Sequence, residues 1–336
     1  MFEYLKKEQK HWLVTGCAGF IASHLVENLL LENQKVTGLD NFSTGHKKNI
    51  DSIIKNVGPE LAKNFTFIEG DLCNETDCKN ATNNVEIILH NAALGSVPRS
   101  IKEPKLYREN NIDGFENLIR TASENGVKRF IHASSSSVYG DEPSLPKIEN
   151  KVGQLLSPYA ASKKINEIFG WIYHHNYQME VIGLRYFNVF GPRQDPNGAY
   201  AAVIPKWINL IANNKEATVY GDGENSRDFC FIQNVCDANF KAAITQNKEA
   251  FGKVFNIACG DRTTLNELFN MISNEIKKEK PEIIIPPLKN KDFRDGDILH
   301  SLADISLANE LLEYIPIVRV EEGLEKTVKW FLDHLN

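Results

Sequence analysis

The sequence predicts an α/β protein: a doubly wound parallel sheet with a smaller, interleaved α+β lobe. Three observations predict it. Short apolar runs recur at strand spacing, helical patterns separate them, and the texture changes near residue 187, where turn-forming residues cluster. The runs are 12–15, 36–39, 65–68, 87–90, 130–133 and 181–187, and each is too uniformly apolar to be half-exposed. Between them, 21–31 carries apolar residues at Ile21, Leu25 and Leu29, and 113–125 and 162–173 show the same stripe. Beyond 187 come Gly191, Pro192, Pro196, Asn197 and Gly198, then the turn Gly221-Asp222-Gly223, one more buried strand at 254–258, and helices at 265–276 and 321–332. No clean linker divides the two parts, so the lobes are expected to cross back and forth.

Size and charge bound the function. The chain has 336 residues, long enough for two closely joined domains whose core needs no disulfide or metal. With 42% hydrophobic and 24% charged residues, it is neither disordered nor a coiled coil. A net charge of -6 argues against nucleic acid or an anionic membrane as partner, while leaving room for a local basic site. The six cysteines form no CxxC pair and are expected to be free thiols in a reducing compartment, with no metal. The opening residues lack an apolar signal core and no run approaches a membrane span, so a cytoplasmic protein is expected.

The first strand runs into Gly16-Cys17-Ala18-Gly19-Phe20-Ile21-Ala22, which opens a helix. Gly16 makes the tight turn, Gly19 lets the backbone approach a pyrophosphate at the helix N-terminus, and the small Ala22 permits close helix–strand packing. The second strand ends in Asp40, at about the 20-residue distance of a dinucleotide fingerprint. A carboxylate there hydrogen-bonds a ribose diol and repels a 2′-phosphate, which predicts NAD over NADP. The second motif is Tyr159-Ala160-Ala161-Ser162-Lys163. Tyr and Lys four apart share a helix face. A phenol of pKa about 10 becomes a usable base only when nearby positive charge favours the phenolate. The run Ser134–Ser137 upstream supplies hydroxyls to bridge a substrate oxygen and the tyrosine.

In the order TGCAGFIA, LDNFSTG, GDL, HNAA, SSSSVYG, YAASK and RYFNVFGPRQ, the chain resembles the extended short-chain dehydrogenase/reductases over essentially its whole length. Within them it looks closest to the nucleotide-sugar 4-epimerases. AALGSVPRSI, NVFGPRQDPNGAYAAVIPKW, DGENSRDF and DFRDGDILHSLAD resemble the branch acting on UDP-N-acetylglucosamine or its uronic acid.

The resemblance implies a Rossmann-type domain over 1–186 and 229–258 that holds NAD, and a UDP-sugar lobe over 187–228 and 259–336. It implies Tyr159 as base, Lys163 as the residue that holds the cofactor ribose and tunes Tyr159, and Ser135, with Ser136 and Ser137, on the reacting hydroxyl. Asp40, Asn41, Ser43 and Gly45 would surround the adenosine ribose, and Asp71 and Leu72 the adenine. Ala92 and Ala93 would pass under the pyrophosphate with Asn111 nearby; Phe20, Ile21 and Tyr186 complete the cofactor set. Asn188, Arg227 and Arg294 would bind the diphosphate and Asp297 the uridine ribose. Gly95, Ser96, Gln194, Ala202, Val203 and Tyr220 would line the substrate.

Dehydratases of this superfamily typically carry Asp-Glu where Ser136 and Ser137 stand, and uronate decarboxylases usually Glu at the Ser137 place, which argues against both. Ser301 occupies a place where galactose-type enzymes often have tyrosine, leaving space for a 2-acetamido group. Ser96, Arg99 and Ser100 are the candidate donors to a carboxylate at carbon 6. UDP-glucose or UDP-glucuronate 4-epimerisation is the alternative, and a non-catalytic NAD sensor the alternative of another class. The family usually dimerises through two helices, here 113–125 and 162–173. His174 and His175 are expected to be solvated.

Overall fold

All seven apolar runs pair in one parallel sheet in the computed structural model, which describes residues 2–197, 202–292 and 299–334. The strands are β1 (His11–Thr15), β2 (Lys35–Asp40), β3 (Phe65–Glu69), β4 (Ile87–His90), β5 (Arg129–Ser135), β6 (Glu180–Tyr186) and β7 (Val254–Ile257), in the spatial order β7-β6-β5-β4-β1-β2-β3. The order reverses between β1 and β4. In an open parallel sheet that is where a crevice forms beyond the carboxyl ends of the strands. The run at 65–68 departs from the expectation of full burial: β3 is an edge strand, and its residues are half-buried or exposed.

The helices wind on both faces. Among them are α1 (Phe20–Leu31), α2 (Lys47–Ala62), α3 (Glu75–Ala81), α4 (Gly114–Glu124), α5 (Pro158–Tyr177), α6 (Val203–Ala212), α7 (Ile232–Ile244), α8 (Leu265–Glu279) and α9 (Val320–His334). Leu25 and Leu29 of α1 and Val235 and Phe240 of α7 pack with Val14 and Ile131 on one face. Phe115 and Leu118 of α4 and Tyr173 of α5 pack with Leu13, Ile88 and Phe130 on the other. The helix patterns at 21–31, 162–173, 265–276 and 321–332 all extend by a residue or more. The one at 113–125 is preceded by a π-helical turn, Glu109–Asp113.

After β6 the chain leaves the sheet for α6, returns for α7 and β7, and leaves again for α8 and α9; three short strand pairs tie these segments together. A capping box at Thr264 and Glu267 fixes the start of α8. His174 is not solvated: its ring shares a hydrogen bond with the Met179 carbonyl and stands edge-on to Phe251. Among the described residues, no helix is long and apolar enough to cross a membrane, and no cluster of metal-ligating side chains exists.

Candidate active site

The carboxyl ends of β1, β2, β4, β5 and β6 open into a cavity of about 340 Å³. β1 ends at Gly16, whose backbone is left-handed (φ 71°) and whose missing side chain admits Ala92; a Cβ would lie 2.9 Å from the Ala92 backbone. Gly19 then caps α1, and no side chain occupies the first amides of that helix. A helix N-terminus with free N–H groups beside a glycine turn is a site for a pyrophosphate. Asp40 lines the same cavity. Its carboxylate accepts the Ala18 and Phe42 amides at 2.9 and 2.8 Å, which fixes its orientation, while burial pushes its pKa up. Asn41 donates to Asp71 at 3.1 Å and accepts the Ser43 amide at 3.0 Å, joining the β2 and β3 ends. Leu72, Ala92, Ala93, Phe20, Ile21 and Tyr186 also line this cavity.

Two residues expected around the cofactor stand outside the lining of this cavity. Gly45 does not line the cavity: it lies behind Asp40, where a Cβ would meet Ala18 at 2.8 Å. Asn111 does not line it either. Its amide is taken up by the Leu94 N–H, the Leu94 carbonyl and Ser162, so it pins the 91–95 loop from behind. Thr15 and His90, which sequence reasoning passed over, support the same loop: their side chains share a 2.8 Å hydrogen bond and Thr15 accepts the Ala92 amide. Burial and the Lys163 charge push the His90 pKa down, so it is neutral there.

Ser157 caps α5 and Pro158 opens it, which sets Tyr159 and Lys163 on its first turns facing the sheet. Lys163 is buried and donates to the Ala133 carbonyl at 2.8 Å; burial draws its pKa down to about 8. Burial raises the Tyr159 pKa, a hydrogen bond with Ser135 lowers it, and Tyr107 raises it further.

Behind the serine run, Ser134 donates to Glu167 at 2.6 Å, and Glu167 receives two hydrogen bonds from Arg185 at 2.8 and 2.9 Å. Burial would raise the Glu167 pKa, but Arg185, Lys164 and Ser134 hold it down at about 2.

A second cavity, about 890 Å³, starts at Ser134–Ser137 and Tyr159 and reaches Asn188, Gln194, His300 and Ser301. It shares Phe20, Ile21, Gly95, Ser134, Tyr159 and Tyr186 with the first, so the two meet at the tyrosine. A third, about 300 Å³, holds Arg227, Ala202, Val203 and Tyr220 and joins the second through Asn188 and Val189. Asn91 Nδ2, Ser137 Oγ and Gln194 Oε1 are buried without a partner and belong to residues lining these cavities.

Three substrate expectations change. Arg99 lies outside the lining of these three cavities and pairs with Glu103 one turn on, at 3.0 Å. Ser96 lies outside it too, and its hydroxyl caps helix Val97–Lys102 by accepting the Arg99 amide. Ser100 donates to the Val97 carbonyl. Arg294 and Asp297 lie outside the described residues. Sequence reasoning also missed Asp228, which accepts the Cys259, Gly260 and Ala303 amides and ties three segments together beside Arg227; burial pushes its pKa up to about 7.

Residues 12–258 match the model of the NAD dependent epimerase/dehydratase family. The chain is similar to a UDP-N-acetylglucosamine 4-epimerase from Methanobrevibacter ruminantium M1, solved in complex with UDP-N-acetylmuramic acid, with 40% identity and a TM-score of 0.88 over 98% of this chain and 100% of that one. It is 34% identical to a UDP-glucose 4-epimerase from Mycolicibacterium smegmatis, over 95% of this chain and 97% of the relative. It is 32% identical to a UDP-glucuronate 4-epimerase from Thermodesulfobacterium geofontis, over 97% of each.

Proposed function

The chain belongs to the NAD dependent epimerase/dehydratase family, and on that premise we propose that it interconverts UDP-N-acetylglucosamine and UDP-N-acetylgalactosamine, or their uronic acids, through a 4-keto sugar. Its reaction class is NAD-dependent 4-epimerisation of a nucleotide sugar. The residues present fit the cofactor: the Gly16 cradle that a Cβ would fill, the uncapped α1 N-terminus and Asp40 would hold NAD. When bound, NAD supplies a hydride acceptor for carbon 4 and a positive charge that favours the phenolate.

The chain's own residues do the rest. Tyr159 takes the proton of the 4-hydroxyl and later returns it, and Ser135, which lines the same cavity as Tyr159, orients that hydroxyl. Lys163, which lines the first cavity, would hold the cofactor ribose. Arg227 and Asn188 hold the diphosphate at the joint between the second and third cavities, which leaves the sugar free to present either face. Residues 1–186 and 229–258 form the NAD-binding part in this reading, and 187–228 and 259–336 the UDP-sugar part. A non-catalytic sensor would have no use for Tyr159, Lys163 and Ser135 assembled at the meeting point of two cavities. Two copies pair through α4 and α5, whose Ile168, Trp171 and Tyr177 are exposed large apolar side chains on α5.

One observation carries the N-acetylated substrate. Ser301 and Gly95 line the larger cavity, and nothing stands within 4 Å of where a Gly95 Cβ would be, so a 2-acetamido group has room. The similarity to a UDP-glucose enzyme favours the second reading, a non-acetylated substrate. A Ser301→Tyr variant separates them. Its kcat/KM for UDP-N-acetylglucosamine is expected to fall roughly 100-fold by steric exclusion, while that for UDP-glucose falls little. Equal losses on both nucleotides, measured by chromatography of the epimers, would remove Ser301 from substrate selection.

A further inference from the structure

Among the described residues lining the 890 Å³ cavity, Lys147 is the sole lysine or arginine. Its backbone is fixed on both sides: the Lys147 N–H donates to the Leu302 carbonyl at 2.7 Å, and its carbonyl accepts from the Asp304 amide and from Asn256 Nδ2, each at 2.9 Å. Lys147 therefore stands firmly beside the Ser301 segment.

Among the described residues, the ammonium's hydrogen-bond partner is a neutral group, the Glu142 carbonyl. The nearby carboxylates are engaged elsewhere. Glu142 accepts the Ser144 amide at 3.0 Å and pairs with Lys151 at 3.5 Å, and Asp141 accepts the Gln154 amide at 2.7 Å. No described carboxylate pairs with Lys147. Partial burial lowers its pKa; the Glu142 carboxylate, without pairing with it, raises it in part, and Lys151 lowers it.

The diphosphate does not need this lysine, because Arg227 lies in the adjoining cavity. The donors expected for a sugar carboxylate, Ser96, Arg99 and Ser100, all face other partners. We propose that Lys147 binds a carboxylate carried by the sugar, so that the preferred substrate is an acidic N-acetylhexosamine nucleotide. The carboxylate stands either at carbon 6 or on an ether at oxygen 3. The inference rests on the reading that a UDP-sugar occupies this cavity.

The test uses three nucleotides: UDP-N-acetylglucosamine, its 6-carboxylate, and UDP-N-acetylmuramic acid, which carries its carboxylate on oxygen 3. Each is assayed with the wild-type protein, Lys147→Met and Lys147→Arg. The Met variant is expected to lower the preference for one carboxylated nucleotide over the neutral one by roughly 10- to 100-fold, through KM more than kcat, and Arg to restore most of it. The nucleotide that responds locates the carboxylate. A Met variant that changes all three alike, or none, overturns the proposal. If no nucleotide is turned over, the epimerase reading fails, and calorimetric Kd values for the same ligands still decide: selective weakening of a carboxylated one supports Lys147, and unchanged relative affinities refute it.

Discussion

Replacing Tyr159 with Phe leaves a folded protein that has lost turnover by roughly 10³-fold. The change removes one oxygen. The ring keeps its edge contact with Tyr107 at 6.3 Å, so packing survives. What goes is the group that accepts the 4-hydroxyl proton at the point where the two cavities meet. Circular dichroism and cofactor content check that the fold and NAD site persist, and chromatography of the UDP-sugar epimers measures turnover. Activity within tenfold of wild type would show that another group is the base.

The largest loss of stability is expected from Arg185→Met. Arg185 pairs in register with Ser134 across β5 and β6, and Glu167 grips both, so this clamp holds the end of the serine strand. Removing the arginine leaves Glu167 as a buried carboxylate whose remaining cation, Lys164, is partly exposed. Loss of one partner of a buried pair costs about 3–5 kcal/mol. Replacing both, as in Glu167→Leu with Arg185→Met, is expected to recover much of that.

The pH dependence has a definite sign. Glu167 sits at about 2 in the fold against an ordinary 4.5. Its stabilisation is therefore complete above the ordinary value and is lost as pH falls from there through about 2. Denaturant midpoints measured from pH 7 down to 3 should show this acid loss in wild type and little of it in the double variant. A single variant as stable as wild type would mean that the clamp contributes nothing.

Most of what was legible in the sequence was local. The glycine turn, Asp40 at the end of the next strand, and Tyr159 with Lys163 one helical turn apart all signal themselves within a few residues or at a set spacing. Seven buried strands were readable because a parallel sheet covered on both faces needs uninterrupted apolar runs; only β3, at an edge, was overcalled. α7 escaped notice for the opposite reason. It is buried on nearly every side, so it shows no amphipathic stripe against which a helix stands out.

Side-chain destinations were harder. The pairing of Arg99 with Glu103, four residues on, and the N-cap at Ser96 before Val97-Pro98 are both legible locally. Asn111 and Lys147 carry no such local mark. Their roles depend on contacts with Leu94, Leu302 and Asp304, which only the folded chain brings near.

The central claim is that hydride leaves carbon 4 of the sugar and returns to the same carbon from the other face. UDP-N-acetylglucosamine carrying deuterium at carbon 4, incubated in ordinary water, tests it directly. The account predicts UDP-N-acetylgalactosamine with its deuterium still at carbon 4 and no net accumulation of NADH. Loss of the label to solvent, or reduced cofactor formed in proportion to sugar consumed, would contradict it.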